Sequence, residues 1–159
     1  MNTIVLVCCL GIGLVAGLRS MTPPAVVSWA AFMGWINVTD GPFWFLASWP
    51  VLVLLTAWAV FELVLDKTSK IGPRTEPLGL IFRAVTSGFC GAVLSSSAGM
   101  GYGIGLVFGW LGGAIGTYGG YHCRKSIIEQ TSLRDLQAAL AEDVIAISLG
   151  VAFVSLARS

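Results

Sequence analysis

Charge is what this 159-residue chain has least of: Asp, Glu, Lys and Arg together make up 11%, against about 25% in a soluble domain. Hydrophobic residues make up 56% and mean hydropathy is +0.85. A water-soluble chain of this size could not hide so much apolar surface, so the solvent implied is lipid. The net charge is +1. That supplies neither the basic field of a nucleic-acid binder nor an acidic tail, and no nucleic-acid partner is expected. There is one histidine, His122, and its neighbour Cys123 points another way on a helix, so the two form no triad and no metal site. Cys8, Cys9, Cys90 and Cys123 lie in or beside apolar runs without zinc-type spacing, and they read as small buried hydrophobes. Nucleophile-elbow, P-loop, HExxH and CxxC motifs are missing. No metal, cofactor or catalytic residue is therefore expected, and a lipid-modifying membrane enzyme is the one enzymatic class left open.

What is present is a series of apolar segments. A spanning helix needs about 20 apolar residues. Residues 43–65 qualify and end on Glu62 and Asp66; residues 78–98 qualify apart from Arg83. Residues 101–121 qualify and are glycine-rich, and residues 136–157 qualify apart from Glu142 and Asp143. Ser132 and Asp135, three apart, fit a capping box ahead of the last of these. The first third is irregular. Residues 3–18 make a slightly short span and residues 24–36 are too short to cross a bilayer straight, so two short tilted helices compete with a helix plus a re-entrant half-helix. The start lacks the positive region of a secretory signal and reads as a retained helix. Asn37-Val38-Thr39 matches a glycosylation pattern, which has meaning only in a eukaryotic secretory pathway.

Between the two short segments, Arg19 to Pro24 reads as non-helical or kinked backbone, because proline lacks an N–H and pushes its predecessor out of the helical region. At membrane depth such backbone survives only inside protein or beside water, so the break points inward. Basic residues fix the orientation. Arg19, the loop 66–77 (Lys67, Lys70, Arg74) and the loop 122–135 (Arg124, Lys125, Arg134) fall on one side, with Arg158 alone on the other. The richer side is assigned to the cytoplasm.

A charge at the centre of a helix in lipid costs about 2.5–3.5 kcal/mol on insertion scales. Arg19 and Arg83 are therefore expected to face a polar centre opposite Glu62 and Glu142, with hydroxyls from Thr22, Thr86 and Ser87. Asp66 and Asp143 sit near enough to helix ends to reach headgroup water. Such a set forms an ion or solute path, or else a static clamp between helices. Glycines fall in two stripes four apart: Gly101, Gly105, Gly109 and Gly113, and Gly112, Gly116 and Gly120. Spacing of this kind lets helix backbones approach closely, and Ala84, Gly88, Ala92 and Ser96 form a matching stripe. A homodimer contact through the second glycine stripe is the alternative use. Trp29, Trp35, Trp44, Trp49, Tyr102 and Tyr121 fall near span ends as interfacial anchors do.

Six segments divide into two halves of three, residues 1–67 and 78–157. Arg19 to Thr22 in one half is echoed by Arg83 to Thr86 in the other, and each half ends on a helix carrying two acids. The pattern suggests a 3+3 inverted repeat.

"GLRSMTPPAVVSWAA", "ELVLDKTSKIGPRT", "GTYGGYHCRK" and "LAEDVIAI" together resemble the bacterial membrane family DUF4126, in the same order from about Gly11 to Ile147. The resemblance implies a small inner-membrane protein and supplies no substrate. The matching positions are Gly17, Arg19, Glu62, Asp66, Lys67, Arg74, Glu142 and Asp143. The expectation is a single all-α domain over 1–159, a polytopic transmembrane bundle of five to six segments in the bacterial inner membrane. Its partners would be the bilayer, a second copy in a homodimer or higher homo-oligomer, and a small solute or ion. The expected function is a small transporter or channel with a buried Arg/Glu centre, or else a non-transporting scaffold or assembly factor held by structural ion pairs.

Overall fold

The structure, a computed structural model, describes residues 2–65, 77–131 and 135–158. Among them the chain is all-helical: α1 (Asn2–Leu18), α2 (Thr22–Phe32), a 3₁₀ turn (Trp44–Ala47), α3 (Trp49–Leu65), α4 (Pro77–Ser97), α5 (Tyr102–Thr131) and α6 (Asp135–Leu156). Among the described residues one helix, over Gly79–Ser97, is long and apolar enough to cross a membrane, and Thr3–Leu18 and Trp49–Leu65 are shorter apolar helices. The Ser132 half of the expected capping box, the basic residues Lys67, Lys70, Arg74 and Arg134, and Asp66 lie outside the described residues.

Prolines set the break in the first third, which falls within the expected Arg19–Pro24 stretch but is shorter. The last helical bond of α1 is donated by the Arg19 N–H to the Val15 carbonyl, and Ala25 opens the ladder of α2 by donating to Met21. Non-helical backbone is thus confined to Arg19–Met21. Pro23 and Pro24 are inside the first turn of α2, where the backbone N–H groups would have no intrahelical acceptor anyway. The prolines forbid one continuous helix and at the same time start the second. α2 ends at Gly34, whose φ is +70°. The Gly34 N–H donates to Ala31 and the Trp35 N–H to Ala30, the paired bonds of a Schellman motif that needs a left-handed residue. α4 stops the same way at Gly99, φ +71°.

α5 is the centre of the bundle, lying between α1 and α4. A Cβ at Gly105 or Gly109 would strike the Gly91 or Ser87 carbonyl of α4, and at Gly112 or Gly116 the Leu10 or Leu14 carbonyl of α1. α1 answers with its own pair: Gly13 lies against Gly109, and Gly17 against Gly113 and Gly116. Gly112 and Gly116 are therefore filled by α1 of the same chain and are not open to a second copy. Gly101 precedes α5 and meets nothing within 4 Å, and Gly120 is half-buried a turn beyond Gly116. On α4 the surface facing α5 runs through Ser87, Gly91 and Ser95; of the expected stripe Gly88 also meets α5, against the Trp110 ring, while Ala84 is exposed. The main buried cluster joins Cys8, Cys9 and Ile12 of α1, Val27 of α2, Cys90, Val93 and Leu94 of α4 and Val154 of α6.

Three further expectations change. Residues 122–131 are not loop: α5 runs on to Thr131, since His122 to Gln130 contains neither glycine nor proline to stop a helix. The packing is also unequal under the exchange an inverted repeat requires. That exchange would make α1 against α5 equivalent to α4 against α2, yet the first contact is the most extensive in the molecule and the second is slight. Arg83 lies in unbroken helix where Arg19 lies in a break. Cys123 is exposed, unlike the other three cysteines.

Candidate functional site

The break between α1 and α2 exposes two opposite helix ends to each other. A helix C-terminus leaves carbonyls without partners and carries partial negative charge; an N-terminus leaves N–H groups and partial positive charge. Each end here is met by a side chain of the complementary charge from another helix.

Arg83 of α4 donates from Nη1 to the Gly17 carbonyl and to the Leu18 carbonyl, the latter at 3.3 Å. The Thr117 hydroxyl of α5, bonded to Gly113 at 2.8 Å, also comes within 3.4 Å of the Gly17 carbonyl. On the other side of the break, the Ser20 N–H donates to Glu62 Oε1 at 2.9 Å and the Met21 N–H to Oε2 at 2.7 Å. Glu62 stands three residues before the end of α3. Within the break, Arg19 Nη2 lies 2.5 Å from Asp143 Oδ1 of α6, with side chains 3% and 7% exposed. Arg19 and Asp143 are thus buried as a pair.

All six helices contribute. Thr22 opens α2 with a buried hydroxyl, and Thr86 is buried on α4 with its hydroxyl turned back to the Phe82 and Arg83 carbonyls. Ser87 is fully buried and donates to Ala84. Glu142 is half-buried beside Asp143 on α6.

Over residues 6–157 the chain matches the family described as a domain of unknown function, DUF4126. The chain belongs to the DUF4126 family. No curated protein and no solved structure matches it.

Of the positions through which the sequence resembles DUF4126, Gly17, Arg19, Glu62 and Asp143 converge on the break, with Glu142 alongside; Asp66, Lys67 and Arg74 lie outside the described residues. The pairing differs from the expected one. Arg19 meets Asp143, Glu62 takes backbone N–H groups, and Arg83 takes backbone carbonyls. Asp143 does not reach headgroup water: it is 5% exposed, two turns inside α6. One participant in this DUF4126 site, Thr117, escaped sequence reasoning, although it sits one residue after Gly116, inside the second glycine stripe. Gly13, four residues before Gly17, likewise carried a small-residue signal on α1. Among the described residues no group of His, Cys, Asp and Glu could hold a metal ion.

Proposed function

We propose that this DUF4126 protein is a small polytopic transporter or channel of the bacterial inner membrane, moving an ion or a small anionic solute past the α1–α2 break. The observation that carries this reading is the broken helix itself, buried with Arg19 and Asp143 at its centre. Broken helices whose opposed ends face one interior site recur in secondary transporters, where the positive end meets an anionic group and freed carbonyls meet cations. Arg83 lies four residues inside the Gly79–Ser97 helix, about 6 Å along its axis. The break therefore falls within the hydrocarbon layer if that helix spans it, and ionisable groups at such depth default to solute or proton paths.

The mechanism follows from the three anchors. Arg19 supplies positive charge beside the break, the Ser20 and Met21 N–H groups supply directed donors, and half-buried Glu62 and Glu142 are positioned to carry protons or cations. An exchange of partners among these groups would distinguish the two faces of the membrane.

The rival reading is a scaffold, and one observation favours it: each broken end already has a protein partner, so the pairs can serve as clamps. Flux measured in liposomes with a panel of ions and organic anions separates the two. Transport is expected from the native protein and reduced flux from Glu142→Gln at unchanged thermal stability. Absence of flux throughout, with variants that lose only stability, would establish the scaffold.

A further inference from the structure

The Glu62 carboxylate is held as a ligand is held. Two consecutive backbone N–H groups reach its two oxygens separately, at 2.9 and 2.7 Å, the pattern of an oxyanion in a backbone nest at the positive end of a helix. Pro23 and Pro24 bring no N–H to this end, and the Ser20 and Met21 N–H groups just before it reach the carboxylate. The next residue, Thr22, has a hydroxyl that is buried, 4% exposed, and without a hydrogen-bond partner.

The helix that delivers the carboxylate is lightly held. α3 buries only Leu52 and Ala59 among its described residues and packs on α2 and the 3₁₀ turn. α1, α4 and α5 are instead locked together by backbone contact at their glycines. Withdrawal of α3 would free two aligned N–H groups, next to an already unpartnered Thr22 hydroxyl and the buried Arg19.

We infer that Glu62 is the internal occupant of an oxyanion site, and that a small carboxylate, or a planar oxyanion of that size, takes the same Ser20 and Met21 N–H groups when Glu62 leaves. This deepens the transport reading and rests on it for the identity of the solute. Replacement of one carboxylate by another leaves the charge of the interior unchanged, so Arg19 keeps Asp143 and Arg83 keeps its carbonyls throughout the exchange.

The test removes the occupant. In detergent, Glu62→Ala is melted across titrations of formate, acetate, chloride and phosphate. Formate is expected to raise the melting temperature of Glu62→Ala saturably, by several degrees, while the native protein, its site filled, barely responds. Equal shifts in both proteins, or chloride acting as well as formate, would overturn the inference. Rescue by phosphate alone would overturn it too, in favour of a tetrahedral headgroup. Should Glu62→Ala not fold, Glu62→Gln offers one acceptor to two donors and should still gain more from formate than the native protein does; no difference sinks the proposal. Formate rescue without flux in liposomes keeps this site and removes transport. Flux without rescue keeps transport and removes this site.

Discussion

At the scale of single residues, the arginine buried in the break decides the energetics. Arg19 and Asp143 sit 2.5 Å apart with almost no solvent exposure, so their charges are desolvated and depend on each other. Removing one partner of such a pair leaves an uncompensated charge and costs about 3–5 kcal/mol, whereas replacing both with apolar side chains of similar volume is often neutral. Arg19→Met is accordingly expected to lower stability by about that amount, and Arg19→Met with Asp143→Leu to recover most of it. Thermal unfolding of the three variants in detergent checks this, and a double variant no better than the single would place the role of Arg19 elsewhere. The inward turn of Arg19 was legible in the sequence, because charge in an apolar run has nowhere else to go. Its partner was not. Glu142 and Asp143 are neighbours about 100° apart on a helix, so the choice between them depends on how α6 is rotated, which one sequence does not carry.

At the scale of elements, glycine spacing was legible and its assignment to neighbours was not. The stripes on α5 were readable from their four-residue period, but which helix each would meet depended on the partners' own small residues. Gly13 and Gly17 take one side, and Ser87, Gly91 and Ser95 take the other. The prolines at 23 and 24 were readable as an interruption, yet their fit to a first helical turn confines the break to Arg19–Met21. The packing makes a directional prediction. Gly112→Ala places a methyl against the Leu10 carbonyl and should cost about 1–3 kcal/mol through overpacking. Gly119→Ala, with nothing within 4 Å of its added carbon, should be neutral or gain up to about 1 kcal/mol from helix propensity. Melting temperatures that fall equally for both would mean that α5 is not clasped between α1 and α4 as described.

At the scale of the whole molecule, polarity is distributed inside out. Arg19, Asp143, Thr22, Ser87 and Thr117 are buried, while Val53, Trp58 and Phe61 of α3, Ile104 and Leu111 of α5, and Val144 and Ile145 of α6 are exposed. In water so large an apolar surface would drive association; in lipid it needs no partner. Helix lengths agree with that setting only in part. The 21 residues of α4 extend about 32 Å, enough for a hydrocarbon core of about 30 Å, while the 11 residues of α2 reach about 16 Å and cannot cross it. The cysteines turn this into a measurement. Cys8, Cys9 and Cys90 are buried and Cys123 is exposed beyond the glycine stripes of α5, close to Arg124 and Lys125, the basic pair that the positive-inside rule assigns to the cytoplasm. A membrane-impermeant maleimide should therefore modify one cysteine in inverted vesicles and none in spheroplasts, with all four reacting after denaturation. An added cysteine at Thr39, exposed in the segment between α2 and α3, should show the opposite sidedness. Labelling of Thr39→Cys and Cys123 from the same face would mean that the chain between them crosses the bilayer an even number of times. The buried break would then have to be placed relative to the membrane afresh.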